Sequence, residues 1–333
     1  MTQLLTYPDI DPQQWQELVL SSPTATWFQT REAYAFYAAN PEEMTPFVIG
    51  VEEDGHLAGV IVGYTTQEKS PIKQYFTCRS IIIGGPLLDE HISNEALRAL
   101  LLAAKRVTQN SIYVETRNFH DYSHWKDLFE TCGFQYQSHL NFHVDTTQPW
   151  ETIENSIGKH RRKYIRLSMR DGAKIVEHPT IEQVRAFYTI LQDLYRTKVK
   201  TPLWSWDFFE RLYHVEHARY ILVELDGQIV GGTACVCLPG KAVYEWYACG
   251  LDNCRDDIRP LSVAVWGEMQ YAAENGYPLF DFMGAGSPDQ PYGVRDFKAE
   301  FGGELVEHGR FLYIRKPLLY WIGKMGVKWL KRQ

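Results

Sequence analysis

One short motif occurs twice in this chain, and that repeat constrains its fold more than any other feature. Val51–Gly59 reads VEEDGHLAG, and Val223–Gly231, 172 residues later, reads VELDGQIVG. Each copy places an apolar stretch on either side of Asp-Gly, the strongest short signal for a β-hairpin. The flanking order repeats as well. The first copy is followed by an apolar run (80–83), a helical stretch (94–108) and the strand IYVET. The second is followed by VYEWYACG, a helical stretch (260–275) and LFDFMG. Both close on glycine turns, Cys132-Gly133-Phe134 and Phe301-Gly302-Gly303. Hairpin, strand, helix, strand, turn, strand is a mixed α/β unit, and two copies predict two tandem domains with mixed sheets.

Length agrees, since 333 residues is about twice the roughly 150 of an ordinary domain. With 45% apolar residues, two cores can be filled. The segment DTTQPWETIENS contains Pro and opens a new helix, which sets the expected boundary: domains at 1–148 and 149–333.

The remaining composition mainly excludes. A net charge of −7 is not that of a global polycation, so any phosphate binding falls to local patches. MTQLLTYPDIDPQQW does not read as a secretory leader, and no apolar run nears the roughly 18 residues of a membrane helix. The six cysteines contain no CxxC and are read as reduced thiols of a cytoplasmic protein. No HExxH or zinc-finger spacing appears, so neither a metal nor a redox cofactor is expected.

Two basic segments stand out. Seven Lys/Arg lie between Lys159 and Lys174 against the single acid Asp171, and Arg162, Arg166 and Arg170 fall at i, i+4 and i+8 on one helix face. That face suits phosphates, or else it pairs with acids of the protein. The tail Phe311–Gln333 carries Arg315, Lys316, Lys324, Lys328, Lys331 and Arg332 and no acid, with Trp321, Ile322, Trp329 and Leu330 among its apolar residues. It reads as a basic amphipathic helix, either resting on an anionic membrane surface at the inner face or docked on the core.

In order along the chain, Trp27-Phe28-Gln29-Thr30, RRKYIRLSMRDGAKI, FYTILQDLYRTKVKTPLWSWDFFERL and GYPLFDFMGAGSPDQPYGVRDFKAEFGG resemble the Fem family of peptidoglycan bridge-forming aminoacyltransferases. The resemblance implies two acetyltransferase-like (GNAT) domains in tandem. It implies transfer of an amino acid from aminoacyl-tRNA to an amine of a peptidoglycan precursor. It also implies that Phe297-Lys298 lies beside the transferred group, where an ammonium can stabilise the tetrahedral oxyanion. Asp281 is then at a strand end lining the cleft, positioned to take or orient the acceptor amine's proton. Gly284 belongs to a close-approaching loop, Tyr247 is the aromatic that touches substrate, and Arg196 sits near the family's diphosphate-binding arginine. The spacing around Arg196 departs from the family pattern. The family's lysine after the early Phe-Gln stretch has no evident match, Arg31 being the nearest cation.

Wider relatives of this kind take acyl-CoA, whose pyrophosphate is usually held by a glycine-rich loop at a helix N-terminus. Here Arg255-Asp256-Asp257-Ile258-Arg259-Pro260 occupies that place, with acids that repel phosphate and a Pro that lacks an N–H. The first copy has Gly84-Gly85-Pro86 followed by Asp89-Glu90. The alternatives to aminoacyl transfer are an acyl-CoA-dependent N-acyltransferase acting on another amine, and a non-catalytic binding protein on the same fold. On Tyr244-Glu245-Trp246-Tyr247, simple strand alternation places Tyr244 and Trp246 on one face and Tyr247 on the other.

Overall fold

A computed structural model of the chain describes residues 2–252 and 254–330, with side chains to residue 326. Two compact units emerge. One runs to His139 and resumes at Glu307; the other is Leu140–Val306. The first contains β1 (Thr2–Thr6), α1 (Pro12–Ser21), α2 (Arg31–Ala38), β2 (Met44–Glu53), β3 (His56–Thr66), α3 (Pro71–Thr77), β4 (Ser80–Gly84), β5 (Leu87–Leu88), α4 (Asn94–Val107), β6 (Tyr113–Asn118), α5 (Lys126–Thr131) and β7 (Gln135–Gln137). The second contains β8 (Leu140–Asp145), α6 (Trp150–Ser156), α7 (Lys159–Arg170), β9 (Lys174–Val176), α8 (Ile181–Leu194), α9 (Trp206–Tyr213), β10 (Ala218–Leu225), β11 (Gln228–Leu238), β12 (Ala242–Gly250), α10 (Pro260–Glu274), β13 (Leu279–Asp281), α11 (Gly293–Ala299) and β14 (Glu304–Glu307). β15 (Arg310–Ile314) and α12 (Pro317–Leu330) belong to the first unit again.

The repeated motif forms the same hairpin twice, β2–β3 and β10–β11. Asp54 and Gly55 have φ of +50° and +84°; Asp226 and Gly227 have +52° and +77°. Positive φ at both central positions is the type I′ turn, whose twist matches the strands it joins. Gly adopts it freely and Asp tolerates it. Both hairpins also slip register at the same point, Val51/Glu52 and Val223/Glu224. A shared bulge argues for one backbone used twice.

Among the described residues, the first sheet has the order β1-β2-β3-β4-β6-β15-β7, with β5 on β3; the second runs β14-β8-β13-β12-β11-β10-β9. Each has a parallel pair, β4 with β6 and β12 with β13, bridged by α4 or α10. Leu97, Leu100 and Leu101 of α4 pack with Val51, Ile61 and Val114. Val263, Ala264 and Met269 of α10 pack with Cys235, Val243 and Phe280.

The division differs from a cut at 148/149. β8 pairs antiparallel with β13, His143 opposite Asp281, and so belongs to the second sheet. β15 is inserted between β6 and β7, Leu312 opposite both Glu115 and Gln135. A strand's choice of sheet is a long-range pairing that local alternation does not encode. Lys331 and Arg332 of the basic tail lie outside the described residues, as do the side chains of Lys328, Trp329 and Leu330.

Charge helps hold β15 in place. Arg310 Nη1 donates to Glu115 Oε1 at 2.7 Å, and Arg117 Nε donates to Glu115 Oε2 at 3.2 Å. Burial alone would raise the Glu115 pKa, but the two guanidiniums prevail and hold it at about 2. Stability from this carboxylate is therefore complete above its unfolded value near 4.5 and is lost as pH falls toward 2. Urea melts over that range should show a steeper acid loss for wild type than for Glu115→Gln. Glu115→Ala should cost about 3 kcal/mol, the low end for breaking a buried pair, because Arg310 and Arg117 keep 25% and 34% of their side-chain exposure.

Candidate functional site

The second sheet opens at one place. Parallel pairing of β12 with β13 runs through Ala242–Leu279, Val243–Phe280 and Tyr244–Asp281 and then stops. β12 continues as strand, whereas the chain after β13 turns away through Met283, Gly284 and Gly286, all at positive φ. The Lys298 ammonium, carried on α11, bridges this parting. Nζ donates to the Phe282 carbonyl at 2.5 Å and the Gly284 carbonyl at 3.0 Å on the β13 side, and pairs with Glu245 Oε1 at 3.4 Å on the β12 side.

The loop after β13 is fastened by β8. Asp281 is fully buried. Its Oδ1 accepts from Asn141 Nδ2 at 2.7 Å and Met283 N at 2.6 Å, and its Oδ2 lies 3.0 Å from His143 Nε2. Asn141 Oδ1 in turn accepts from Gly284 N at 2.8 Å. Burial would raise the Asp281 pKa, but the hydrogen bond and charge of His143, with Asn141 and Met283, hold it below the usual carboxylate range. The expectation that this carboxylate meets the acceptor amine directly is not matched by any accessible oxygen. Asp281 instead fixes His143 and the turn that supplies Lys298 with its carbonyls.

Carboxyls outnumber cations under the parting. Burial raises the Glu245 pKa, with Lys298 pulling it down and Asp281 pushing it up. Its Oε2 is buried with no hydrogen-bond partner among the described residues. Glu268, on α10, is fully buried; that burial and the nearby Glu245 drive its pKa well above the ordinary range. Both causes favour the protonated form of Glu268.

A bulge explains the aromatics of β12. Ala234 faces Tyr247 and Cys235 faces Glu245, leaving Trp246 as the extra residue. Cross-strand partners share a face, so Tyr244 and Tyr247 lie together and Glu245 lies opposite, correcting the simple alternation. Tyr247 is buried against Phe209 and Phe208, with ring centroids 4.9 and 6.3 Å away.

α7 is stitched across the N-terminus of α10. Ser168 Oγ accepts from Arg259 N at 2.9 Å, Pro260 has no N–H to offer, and Ile258 is fully buried. Arg161 donates to Ser262 Oγ at 2.7 Å and Glu300 Oε2 at 3.0 Å, and its guanidinium lies 4.6 Å from the Phe297 ring centroid. Phe297 thus anchors α11 to α7. Ser168 thus takes up the Arg259 amide at this helix N-terminus, a place where backbone N–H groups otherwise bind anions. In the first unit the corresponding glycine turn is closed by Gln29, whose Nε2 donates to the Gly85 carbonyl at 2.9 Å, and by Tyr122, whose hydroxyl donates to the Pro86 carbonyl at 2.7 Å.

The outer side of α7 is an open depression of about 650 Å³ lined by Lys159, Arg162, Lys163, Arg166 and Arg170. Each arginine of the i, i+4, i+8 row already has an acceptor: Arg162 has Asn155 Oδ1 at 2.6 Å, Arg166 both Glu154 oxygens, and Arg170 both Asp171 oxygens. Arg196 is exposed and paired with Asp193 at 2.5 Å. The structure thus brings together Lys298, Asp281 and Gly284, with Phe297 behind them. Elsewhere in this unit, Arg162 and Arg166 are held by Asn155 and Glu154, Arg196 by Asp193, and Tyr247 by Phe208 and Phe209. Asn141, His143, Glu245 and Glu268 were missed in the sequence. The first two lie just before the expected boundary, on the far side from the other site residues, and a buried glutamate in an apolar helix carries no local signal.

Residues 157–298 match the family model of the acetyltransferase (GNAT) domain. No curated protein matches the sequence. Among solved structures, FemX aligns with a TM-score of 0.72 over 96% of this chain and 99% of its own, at 18% identity. The C-terminal domain of a putative lysylphosphatidylglycerol synthetase from Agrobacterium fabrum aligns at 0.60 over 95% of both chains, at 13% identity. A tandem GNAT protein from the clavulanic acid biosynthesis pathway aligns at 0.58 over 94% of this chain and 98% of its own, at 10% identity. The two mixed α/β units expected from the repeat, and the tandem acetyltransferase-like fold implied by the resemblance, are therefore the fold of this chain, and its second unit carries the acetyltransferase (GNAT) domain match.

The upward shift of the Glu268 pKa has a measurable consequence. A carboxyl whose pKa is raised by folding keeps its proton to higher pH in the native state than in the unfolded chain, so its contribution to stability falls as pH rises above the ordinary carboxylate range. Urea denaturation from about pH 5 to about pH 8 should show this slope in wild type, and Glu268→Gln should flatten it.

Proposed function

We propose that this chain, an acyltransferase by its domain at 157–298, moves an aminoacyl group from aminoacyl-tRNA onto an amine of a peptidoglycan-type precursor. The observation that carries the reading is the Lys298 ammonium held in the parting of β12 and β13. The acceptor nitrogen bonds to the ester carbonyl carbon, the ester C–O bond breaks, and the proton lost by the amine ends on the departing ribose oxygen. A negative oxygen develops on the way, and a fixed cation in a buried cleft stabilises it. All three Lys298 donors have partners; Glu245 makes the longest contact, so a substrate oxygen takes its place most readily. Asp281 acts through His143 and the 282–286 turn as a positioning residue, and Phe297 through the seat of α11.

The donor follows from α7. Its Ser168 occupies the amide that a CoA pyrophosphate would use, which argues against the acyl-CoA alternative. Its basic row faces outward, suited to a phosphate backbone. In this reading nucleic-acid phosphates compete with Glu154 and Asn155 for Arg166 and Arg162, while Arg196 and Tyr247 border the acceptor side.

The test is incubation with a panel of charged tRNAs and acyl-CoAs, reading mass gain on precursor peptides. Gain with charged tRNA alone supports the proposal; gain with acyl-CoA alone overturns it. Lys298→Gln keeps an amide donor near the carbonyls but removes the charge, and should lower turnover about 100-fold or more. Buried Glu245 loses its cation, so the melting temperature should fall as well, and turnover is compared at a temperature where circular dichroism shows the variant folded. Wild-type turnover in that variant removes the lysine from the chemistry. Arg162→Glu with Arg166→Glu should weaken tRNA binding and flatten its salt dependence; unchanged affinity at low salt would exclude α7 from donor binding.

A further inference from the structure

α12 places its apolar face in water. Leu318, Trp321, Ile322 and Met325 fall at i, i+3, i+4 and i+7, one stripe of the helix. They are 74%, 56%, 46% and 64% exposed. Tyr320 anchors the helix from another side, its ring 5.4 Å from that of Tyr113. A terminal helix docked on its core would bury this stripe instead.

α3 does the same from a distant part of the sequence. It has no buried residue, and Ile72, Tyr75 and Phe76 are all largely exposed. The two helices touch, with Lys316 Nζ 5.2 Å from the Tyr75 ring centroid. Exposed apolar residues thus lie on two neighbouring helices, the kind of surface that marks an interaction site. Its flanks are basic: 71–79 carries Lys73 and Arg79 without an acid, and 311–333 carries six Lys/Arg without an acid, in a chain of net charge −7. No described helix is long and apolar enough to cross a membrane.

We infer that α3 and α12 together form a surface that lies on an anionic lipid bilayer, with the apolar residues among the acyl chains and the lysines at the headgroups. Positive charge around an exposed apolar patch, on an otherwise acidic protein, matches that partner. The inference does not depend on which group the second unit transfers.

The full chain should co-sediment with vesicles of equal parts phosphatidylglycerol and phosphatidylcholine, and far less with phosphatidylcholine alone. Ile72→Ser with Phe76→Ser, and separately Trp321→Ser with Ile322→Ser, should each weaken binding about tenfold or more. Lys73→Glu with Lys324→Glu should abolish the preference for the anionic vesicles. All these positions are exposed, so melting temperatures should hold. Unchanged binding in the α3 variant overturns the two-helix surface, and equal binding to both vesicles overturns the anionic partner. Absence of vesicle binding, with self-association lost in the same variants, assigns the patch to a second copy of the chain and overturns the proposal.

Discussion

Each sheet has a seat beside its central parallel pair that must be filled, and much of the molecule follows from how. In the first sheet that seat goes to β15; in the second it goes to β8. The ladder of β15 to β6 and β7 is reinforced by Arg310 on Glu115 and by Phe311, whose ring stacks on Phe129 at 4.0 Å. β8 delivers more than a ladder. It carries Asn141 and His143, which bind Asp281 and hold the turn that in turn holds Lys298. The geometry of the cleft thus depends on the strand that follows directly from β7.

The cleft is chemically unusual because one ammonium lies among several buried carboxyls and pairs with just one of them, Glu245. Asp281 is satisfied by Asn141, the Met283 amide and the His143 imidazole, Glu245 in part by Lys298, and burial shifts Glu268 toward its neutral form. Low dielectric makes each of these choices costly to change. α7 contributes twice, with an inner side that occupies the α10 end through Ser168 and an outer side that presents the basic row.

Much of this was legible in the residues. Asp-Gly flanked by apolar runs fixed both hairpins, since only a few residue pairs accept positive φ at both positions. The order of strand and helix around them predicted the two units, and Phe297-Lys298 marked the helix that closes the cleft. Hidden were features set by long-range pairing: the sheets that Leu140–Asp145 and Arg310–Ile314 join, and the partners of Asp281. The bulge at Trp246 was hidden too, because one inserted residue reverses every side-chain direction beyond it without altering composition. The burial of Glu268 within α10 ran against the ordinary preference of its residue type.

The late position of β15 reverses the order in which the halves can finish. A ribosome releases the amino-terminal strands first, yet β6 and β7 stay unjoined until Arg310–Ile314 emerges. By then every strand of the later half is already outside the tunnel. The nascent chain therefore carries two open strand edges through most of its synthesis, a period when such edges invite wrong partners. The half that is made first is the half that closes last.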